Sequence, residues 1–290
     1  MTEPVVMYGI GATKAGTSWL HRYLSSHPEC YLRTIKELHF FDSLEGGDNA
    51  WQLKEFTRIS DQLERRIARG DQDVNGWHHL HLSEIRIYAR VLERGDETAY
   101  LAFLHEGRTD EGVVGDITPS YSLLSVKTLA HMASLAGDAR FVYIMRDPVD
   151  RLWSHVRMIA KRRSKTGKDI PVRAGRILNR ALDGGEAHIT ERGDYRAALE
   201  KLADAIDPEK LFLCTYEELF SDETLDRLCA FLGITPIRGD YATHVHSGVK
   251  VRMTPEQKER AAAYLRPQYD YVASRLGQLP RGWGAAMAGV

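Results

Sequence analysis

The chain has 290 residues, of which 43% are hydrophobic and 27% charged, and its formal net charge is -1. That length can bury a substantial core. The near-balance of charge, with a pI near 6.9, argues against general affinity for nucleic acid, which leaves a basic excess over a whole domain; a local basic site remains compatible with it.

Three cysteines, Cys30, Cys214 and Cys229, are too few and scattered for a disulfide framework or a zinc cluster. Cys214 and Cys229 read as buried small hydrophobes. The amino terminus lacks a basic leader region, and no apolar run approaches the roughly 18–20 residues that span a bilayer. A cytoplasmic chain without a membrane span is expected.

In chain order, Val5 to Ile10 is a buried-type strand, and Thr17 to Ser25 places Trp19, Leu20, Tyr23 and Leu24 at helical spacing before Pro28. From Glu45 to Gly112 the chain is polar and helical in places, without a strong strand signal. Val113-Val114-Gly115 reads as a short strand. Arg140 to Met145 is another, followed by a helix with Val149, Leu152, Trp153, Val156 and Ile159 on one stripe. Lys161 to Arg180 is basic and broken by Gly167, Pro171 and Gly175, so it is expected to be a mobile connection. Lys210 to Thr215 is a strand whose partner helix carries Leu225, Leu228, Phe231 and Leu232, and Tyr264 to Leu276 reads as a core-packing terminal helix. Apolar runs alternating with helical patterns predict an α/β fold: three layers, a central parallel sheet flanked by helices. No linker divides it, so one domain over residues 1–290 is expected.

The first strand–helix turn reads Gly11-Ala12-Thr13-Lys14-Ala15-Gly16-Thr17-Ser18. Glycines let a phosphate approach the backbone, and a helix start offers unpaired N–H groups and a positive dipole. Against the nucleotide-loop pattern G-x-x-x-x-G-K-[ST], Thr17 takes the lysine position and Lys14 lies three residues earlier. An altered phosphate loop is favoured over a kinase or ATPase, since no later strand ends in a convincing magnesium-binding acid. The strand Arg140–Met145 ends in Arg146-Asp147-Pro148, and Ser154 follows two turns into the next helix. An arginine at the carboxyl end of a parallel strand points into the ligand crevice, and Arg146 with Ser154 makes a charge-assisted clamp for a second phosphate.

These segments together resemble the sulfotransferases that use 3′-phosphoadenosine 5′-phosphosulfate (PAPS), notably the heparan-sulfate-type branch and its bacterial relatives. Lys36-Glu37-Leu38-His39-Phe40-Phe41-Asp42 and Asp116-Ile117-Thr118-Pro119-Ser120-Tyr121 resemble further segments of that branch, as do Arg192-Gly193-x-Tyr195, Tyr216-Glu217-Glu218-Leu219 and Phe231-Leu232-Gly233. The resemblance runs from about Tyr8 to Arg252 and implies a P-loop-like sulfotransferase fold and sulfuryl transfer from PAPS, without metal.

By that resemblance Lys14, Ala15, Gly16, Thr17 and Ser18 hold the 5′-phosphosulfate, with Ala15 giving a backbone N–H. Arg146 and Ser154 hold the 3′-phosphate, and a late loop with Ser247, Gly248, Lys250 and Arg252 closes over the nucleotide. Glu37 is implied as general base and Lys14 as the cation on the leaving oxygen, with His39 an alternative base or an orienting group. Where the branch commonly has a lysine, this chain has Ile117; either another cation substitutes or acceptor recognition differs, and Asp116 can orient its neighbours. The acceptor is left open among carbohydrate, lipid, small metabolite and peptide tyrosine, as is the oligomeric state. A P-loop nucleotide or nucleoside kinase and a non-catalytic nucleotide-binding module stand as alternatives. Trp77-His78-His79-Leu80-His81 reads as part of an acceptor pocket rather than a metal site, having no second ligand cluster nearby.

Overall fold

The computed structural model describes residues 3–242 and 248–284. β1 (Val5–Gly11) is followed by α1 (Thr17–Ser25), β2 (Cys30–Leu32) and α2 (Phe40–Gly46). Three helices, α3 (Ala50–Ala68), α4 (Trp77–Arg94) and α5 (Glu97–His105), precede β3 (Val113–Asp116). Then come α6 (Val126–Leu135), β4 (Ala139–Met145), α7 (Pro148–Arg163), α8 (Ile170–Leu182), α9 (Ala187–Thr190), α10 (Tyr195–Ala205) and β5 (Leu211–Thr215). α11 (Tyr216–Leu219), α12 (Asp222–Leu232) and α13 (Pro255–Leu276) follow.

The strands form one parallel sheet in the order β2-β3-β1-β4-β5, flanked by helices in a three-layer α/β fold. β1 is buried from Val6 to Gly11 and β4 from Phe141 to Met145. This burial explains why both read as unbroken apolar runs rather than alternating ones. From β1 the chain builds β2 and β3 on one side, then crosses to β4 on the other. The carboxyl ends of β1 and β4 therefore flank the point where strand order reverses, the usual position of a ligand crevice.

Two local expectations change. β2 escapes notice in the sequence because it is three residues long and only Cys30 of it is buried. The basic stretch from Lys161 to Arg180 is not a mobile connection: α7 continues to Arg163 and α8 starts at Ile170. Pro171 sits in the first turn of α8, where its missing N–H costs nothing. Ile170, Ala174, Ile177, Leu178 and Ala181 form that helix's buried stripe. All three cysteines are buried and free. Among the described residues, no helix is long and apolar enough to cross a membrane.

Candidate active site

The turn between β1 and α1 opens into a cavity of about 780 Å³. Thr13, Lys14, Gly16, Thr17 and Ser18 line it. Ala15 does not: it is fully buried, and its N–H donates to the Ala12 carbonyl at 3.1 Å. Gly16 precedes α1 with φ 96°, and no side chain caps the helix start; the Trp19 N–H donates to the Gly16 carbonyl at 2.9 Å, which leaves those of Thr17 and Ser18 to a ligand. A Cβ on Gly16 would stand 2.9 Å from the Tyr216 ring, so sterics as well as the left-handed backbone demand glycine there. Lys14 is itself left-handed, with φ 73°. Non-glycine residues seldom adopt that conformation, and where they do they cluster at functional sites. Burial, then the charges of Arg146, Arg162 and Arg157, lower the Lys14 ammonium below its ordinary range.

Arg146 ends the neighbouring strand and lines the same cavity, as does Ser154 from α7. The Arg146 guanidinium lies over the Tyr216 ring, 4.5 Å from its centroid. Its buried Nε has no hydrogen-bond partner among the described residues, and neither has the Nε of Arg157. Unsatisfied buried donors are costly, and an anion in the crevice would satisfy that of Arg146, which lines it. The turn carrying Arg146 is clamped. Arg146 N–H donates to the Tyr195 hydroxyl at 3.0 Å, and that hydroxyl donates to the Arg146 carbonyl at 2.6 Å. Trp283 stacks on Tyr195 with centroids 5.9 Å apart and donates its Nε1–H to Glu217 at 2.8 Å. Glu217 in turn accepts from the Asp147 N–H at 3.1 Å, and the Asp147 carboxylate accepts from the Tyr269 hydroxyl at 2.9 Å. A strap near the end of the described chain thus braces the Arg146 turn from behind.

The late basic loop approaches differently from expectation. Trp153 Nε1 donates to the Val251 carbonyl at 2.9 Å and Arg157 Nη1 to that of Val249 at 3.0 Å, pinning this segment to α7. Gly248 lies beside Arg157, whose Cζ is 3.9 Å from where a Cβ would stand. Lys250 and Arg252 are exposed and do not line the cavity, and Ser247 lies outside the described residues. The cation that α7 itself supplies here, Arg157, is one that sequence reasoning did not single out.

Glu37 and His39 line the same cavity. The Glu37 carboxylate lies 2.5 Å from Lys36 Nζ and 3.6 Å from His39 Nε2. On its other face the imidazole meets Asp42 Oδ2 at 2.7 Å, and that oxygen also accepts from Ser120 at 2.6 Å. Burial pushes the Glu37 carboxyl up, but the hydrogen bond with His39 and the charge of Lys36 outweigh it and hold the group at about 2. For His39 burial disfavours the proton, yet the bonds to Asp42 and Glu37 lift it to about 9. At neutral pH an imidazolium sits between two carboxylates. His39 thus touches both carboxylates, with Asp42 a third member of the cluster that the sequence left unassigned; its spacing in Glu37-x-His39-x-x-Asp42 was the available signal.

The segment after β3 is the frame for this triad. Asp116 is buried and accepts from the hydroxyls of Tyr100, Tyr121 and Thr118 at 2.9, 2.7 and 2.7 Å. The Thr118 oxygen then accepts from the Leu38 N–H at 2.9 Å, and that of Tyr121 from the Phe40 N–H at 2.9 Å. These bonds hold the backbone on either side of His39, whose φ is 56°. Ile117 faces away into the core: a Cβ on Gly9 would stand 2.8 Å from its side chain.

Trp19, Tyr216, Phe220 and Tyr241 form an aromatic end of the cavity. Trp19 and Tyr241 are stacked at 6.0 Å, and Phe220 meets Trp19 edge-on at 5.1 Å. Such flat, apolar walls suit a planar heteroaromatic ring. Their spacing in sequence hides them, because they converge from α1, α11 and the segments after α11 and α12. Trp77, His78, His79 and His81 lie on α4 and do not line the cavity. Among the described residues no group of three or more His, Cys, Asp or Glu side chains is placed to hold a metal ion.

A family model described as the Sulfotransferase family matches residues 6–237. Among solved structures the chain is similar to a sulfotransferase from Alicyclobacillus acidocaldarius, with TM-score 0.64 and 20% identity over 98% of this chain and 99% of that one. It is also similar to the sulfotransferase domain of the Synechococcus PCC 7002 olefin synthase, with TM-score 0.50 and 16% identity over 91% and 96% of the two chains. The sulfotransferase domain from the curacin biosynthetic pathway gives TM-score 0.51 and 16% identity over 97% and 99%. No curated protein matches the sequence.

Proposed function

The chain belongs to the sulfotransferase family, and on that premise we propose that it moves a sulfuryl group from PAPS to an acceptor hydroxyl or amine. One observation carries this reading: Lys14, Arg146 and Glu37 line one cavity at the carboxyl edge of the sheet. Two cations mark two phosphate positions, and a held carboxylate shares the cavity with them. The residues present fit the nucleotide. The glycine turn and free start of α1 suit the 5′-phosphosulfate, Arg146 with its unpartnered Nε and Ser154 suit the 3′-phosphate, and the aromatic end suits adenine.

In the proposed step the acceptor oxygen or nitrogen bonds to sulfur as the bond from sulfur to the bridging phosphate oxygen breaks. Lys14 stabilises the charge that gathers on that oxygen, a contribution that grows in a cleft that excludes water. Glu37 takes the acceptor proton. A carboxylate held near 2 is a weak base, but a hydroxyl becomes strongly acidic only as its oxygen joins sulfur, so late proton transfer to a positioned carboxylate suffices. His39 and Lys36 fix the carboxylate, and Asp42 fixes His39.

Calorimetry with adenosine 3′,5′-bisphosphate against ATP with magnesium tests the reading, alongside labelled-sulfate transfer from PAPS to an acceptor panel. Tight binding of the bisphosphate and weak binding of ATP is the expected result; preference for ATP would indicate the phosphoryl-transfer alternative. The strap adds a further expectation. Trp283→Ala should weaken bisphosphate binding by about tenfold, equal to about 1.4 kcal/mol, with little change in kcat. Trp283→Phe keeps the ring on Tyr195, loses the bond to Glu217, and should fall between. An unchanged bisphosphate Kd in Trp283→Ala would remove the strap from nucleotide binding.

A further inference from the structure

Assigning Lys14 and Arg146 to the nucleotide leaves two arginines of the cavity without a task. We propose that Arg162 and Arg192 form an anion subsite for the acceptor, which is then a small hydroxylated acid rather than a neutral alcohol. The inference rests on the sulfuryl-transfer reading and deepens it.

α7 ends in Lys161-Arg162-Arg163, and the two arginines are treated differently. Arg163 is committed to the buried Glu186 carboxylate at 2.7 and 3.0 Å. Arg162, about 100° further round the helix by its 3.6-residue turn, lines the cavity and has no ion pair among the described residues. It lies eight residues beyond Ser154, about 12 Å along the helix axis, and so stands well away from the 3′-phosphate clamp. Its charge bears on Lys14 and on Glu55 of α3, the helix that also carries Trp51. The exposed Trp51 ring meets His39 edge-on at 6.2 Å. Arg162 thus lines the cavity toward α3, whose Trp51 meets His39, and two turns along α7 from Ser154.

Arg192 reaches the same central region. Its Nη1 lies 3.5 Å from Thr13 Oγ1, the hydroxyl next to Lys14, and its charge is felt by the buried His155 together with that of Lys14. It too has no carboxylate partner among the described residues. Its backbone is held close, because the following Gly193 packs against the buried Arg151 guanidinium, leaving only 2.1 Å between a hypothetical Cβ and Arg151 Cζ. Among the described residues the only carboxylate that lines the cavity is Glu37, already engaged by Lys36 and His39. Two guanidinium groups, unpaired and facing a cleft, suit a carboxylate, phosphate or sulfate group through charge-assisted bonds. Trp51, Met158, Ile159 and Pro119 supply apolar wall beside them. Since about 780 Å³ has to hold the nucleotide as well, the enclosed part of the acceptor is compact.

The test is calorimetry on protein saturated with adenosine 3′,5′-bisphosphate, using matched probes: 4-hydroxyphenylacetate against 4-hydroxyphenylacetamide, and 4-hydroxybutyrate against its amide. At least one acid should bind about tenfold more tightly than its amide. The advantage should shrink below about threefold in the Arg162→Gln, Arg192→Gln double variant, with the bisphosphate Kd within about twofold of the parent. Equal affinity for acid and amide in both pairs, or binding of no probe, overturns the subsite. So does a double variant that loses bisphosphate affinity by more than about tenfold, for the arginines then serve the nucleotide. Failure of the parent protein to bind bisphosphate at all instead overturns the underlying sulfuryl-transfer reading, and the two failures are read from separate titrations.

Discussion

Glu37→Gln is expected to lower kcat for sulfuryl transfer by about a thousandfold, within the range that loss of a general base produces, while bisphosphate affinity stays within about twofold. The substitution keeps the shape of the side chain and its reach toward Lys36 and His39, so the nucleotide half of the cavity is left alone; what disappears is the capacity to accept a proton. The charges around Glu37 also fix the pH behaviour. With its carboxyl at about 2 and the His39 imidazolium at about 9, neither titrates between pH 5 and 8, and kcat should be flat there. His39 contributes a change near pH 9 that should be missing in His39→Asn, whereas the lowered Lys14 ammonium adds an alkaline loss of its own that persists in that variant. Stability follows the same groups. A raised histidine stabilises fully below its ordinary value near 6.5, and that contribution is lost as pH rises through about 9. The lowered Glu37 stabilises above its ordinary value and loses its share as pH falls toward about 2. Labelled-sulfate transfer measured across this range decides the assignment, and full turnover by Glu37→Gln would reject the carboxylate as base.

What the sequence made legible follows from how local each signal is. β1 and β4 are apolar runs buried in the sheet, β5 is a shorter apolar run at its edge, and α1 carries its stripe within nine residues. Lys14, Gly16 and Arg146 announce themselves because a phosphate loop and a strand-end arginine are each one short segment. The three-residue β2 is below what periodicity can reveal. α8 was hidden by its breakers: Pro171 marks its beginning rather than a gap, and Gly175 is tolerated within it. The supports of the site are illegible for a different reason. Tyr195 reaches Arg146 across 49 positions, and Gly284 reaches Asp147 across 137. No spacing rule connects such residues; only the fold brings them together. The same holds for the aromatic end and for the contrast between Arg162 and Arg163, where neighbours of equal charge differ because one meets Glu186 and the other a cavity.

The second large effect lies beneath the cavity. Asp116→Ala is expected to destabilise the protein by about 4 kcal/mol, on the basis that each buried hydroxyl left without an acceptor costs about 1–3 kcal/mol and partial relaxation recovers some of it. Burial raises the Asp116 carboxyl, and the bonds from Thr118, Tyr121 and Tyr100 oppose that rise. Those three donors are themselves enclosed, since Tyr100, Tyr121 and Thr118 are all at 0% exposure, so none can turn to water when the carboxylate is removed. The damage should also reach the chemistry. Thr118 and Tyr121 are aligned by Asp116, and their oxygens hold the N–H groups of Leu38 and Phe40. Without that alignment the backbone around His39 is free to leave its left-handed conformation, and the Glu37–His39–Asp42 arrangement goes with it. Asp116→Asn retains one acceptor oxygen and should lose about half as much stability. Urea unfolding separates these cases: the midpoint should fall in the order parent, Asn, Ala with the slope unchanged, and kcat should fall with it. A midpoint for Asp116→Ala equal to that of the parent would mean that the hydroxyl network is not what holds the catalytic segment, and that the fixed position of His39 has its origin in α2 alone.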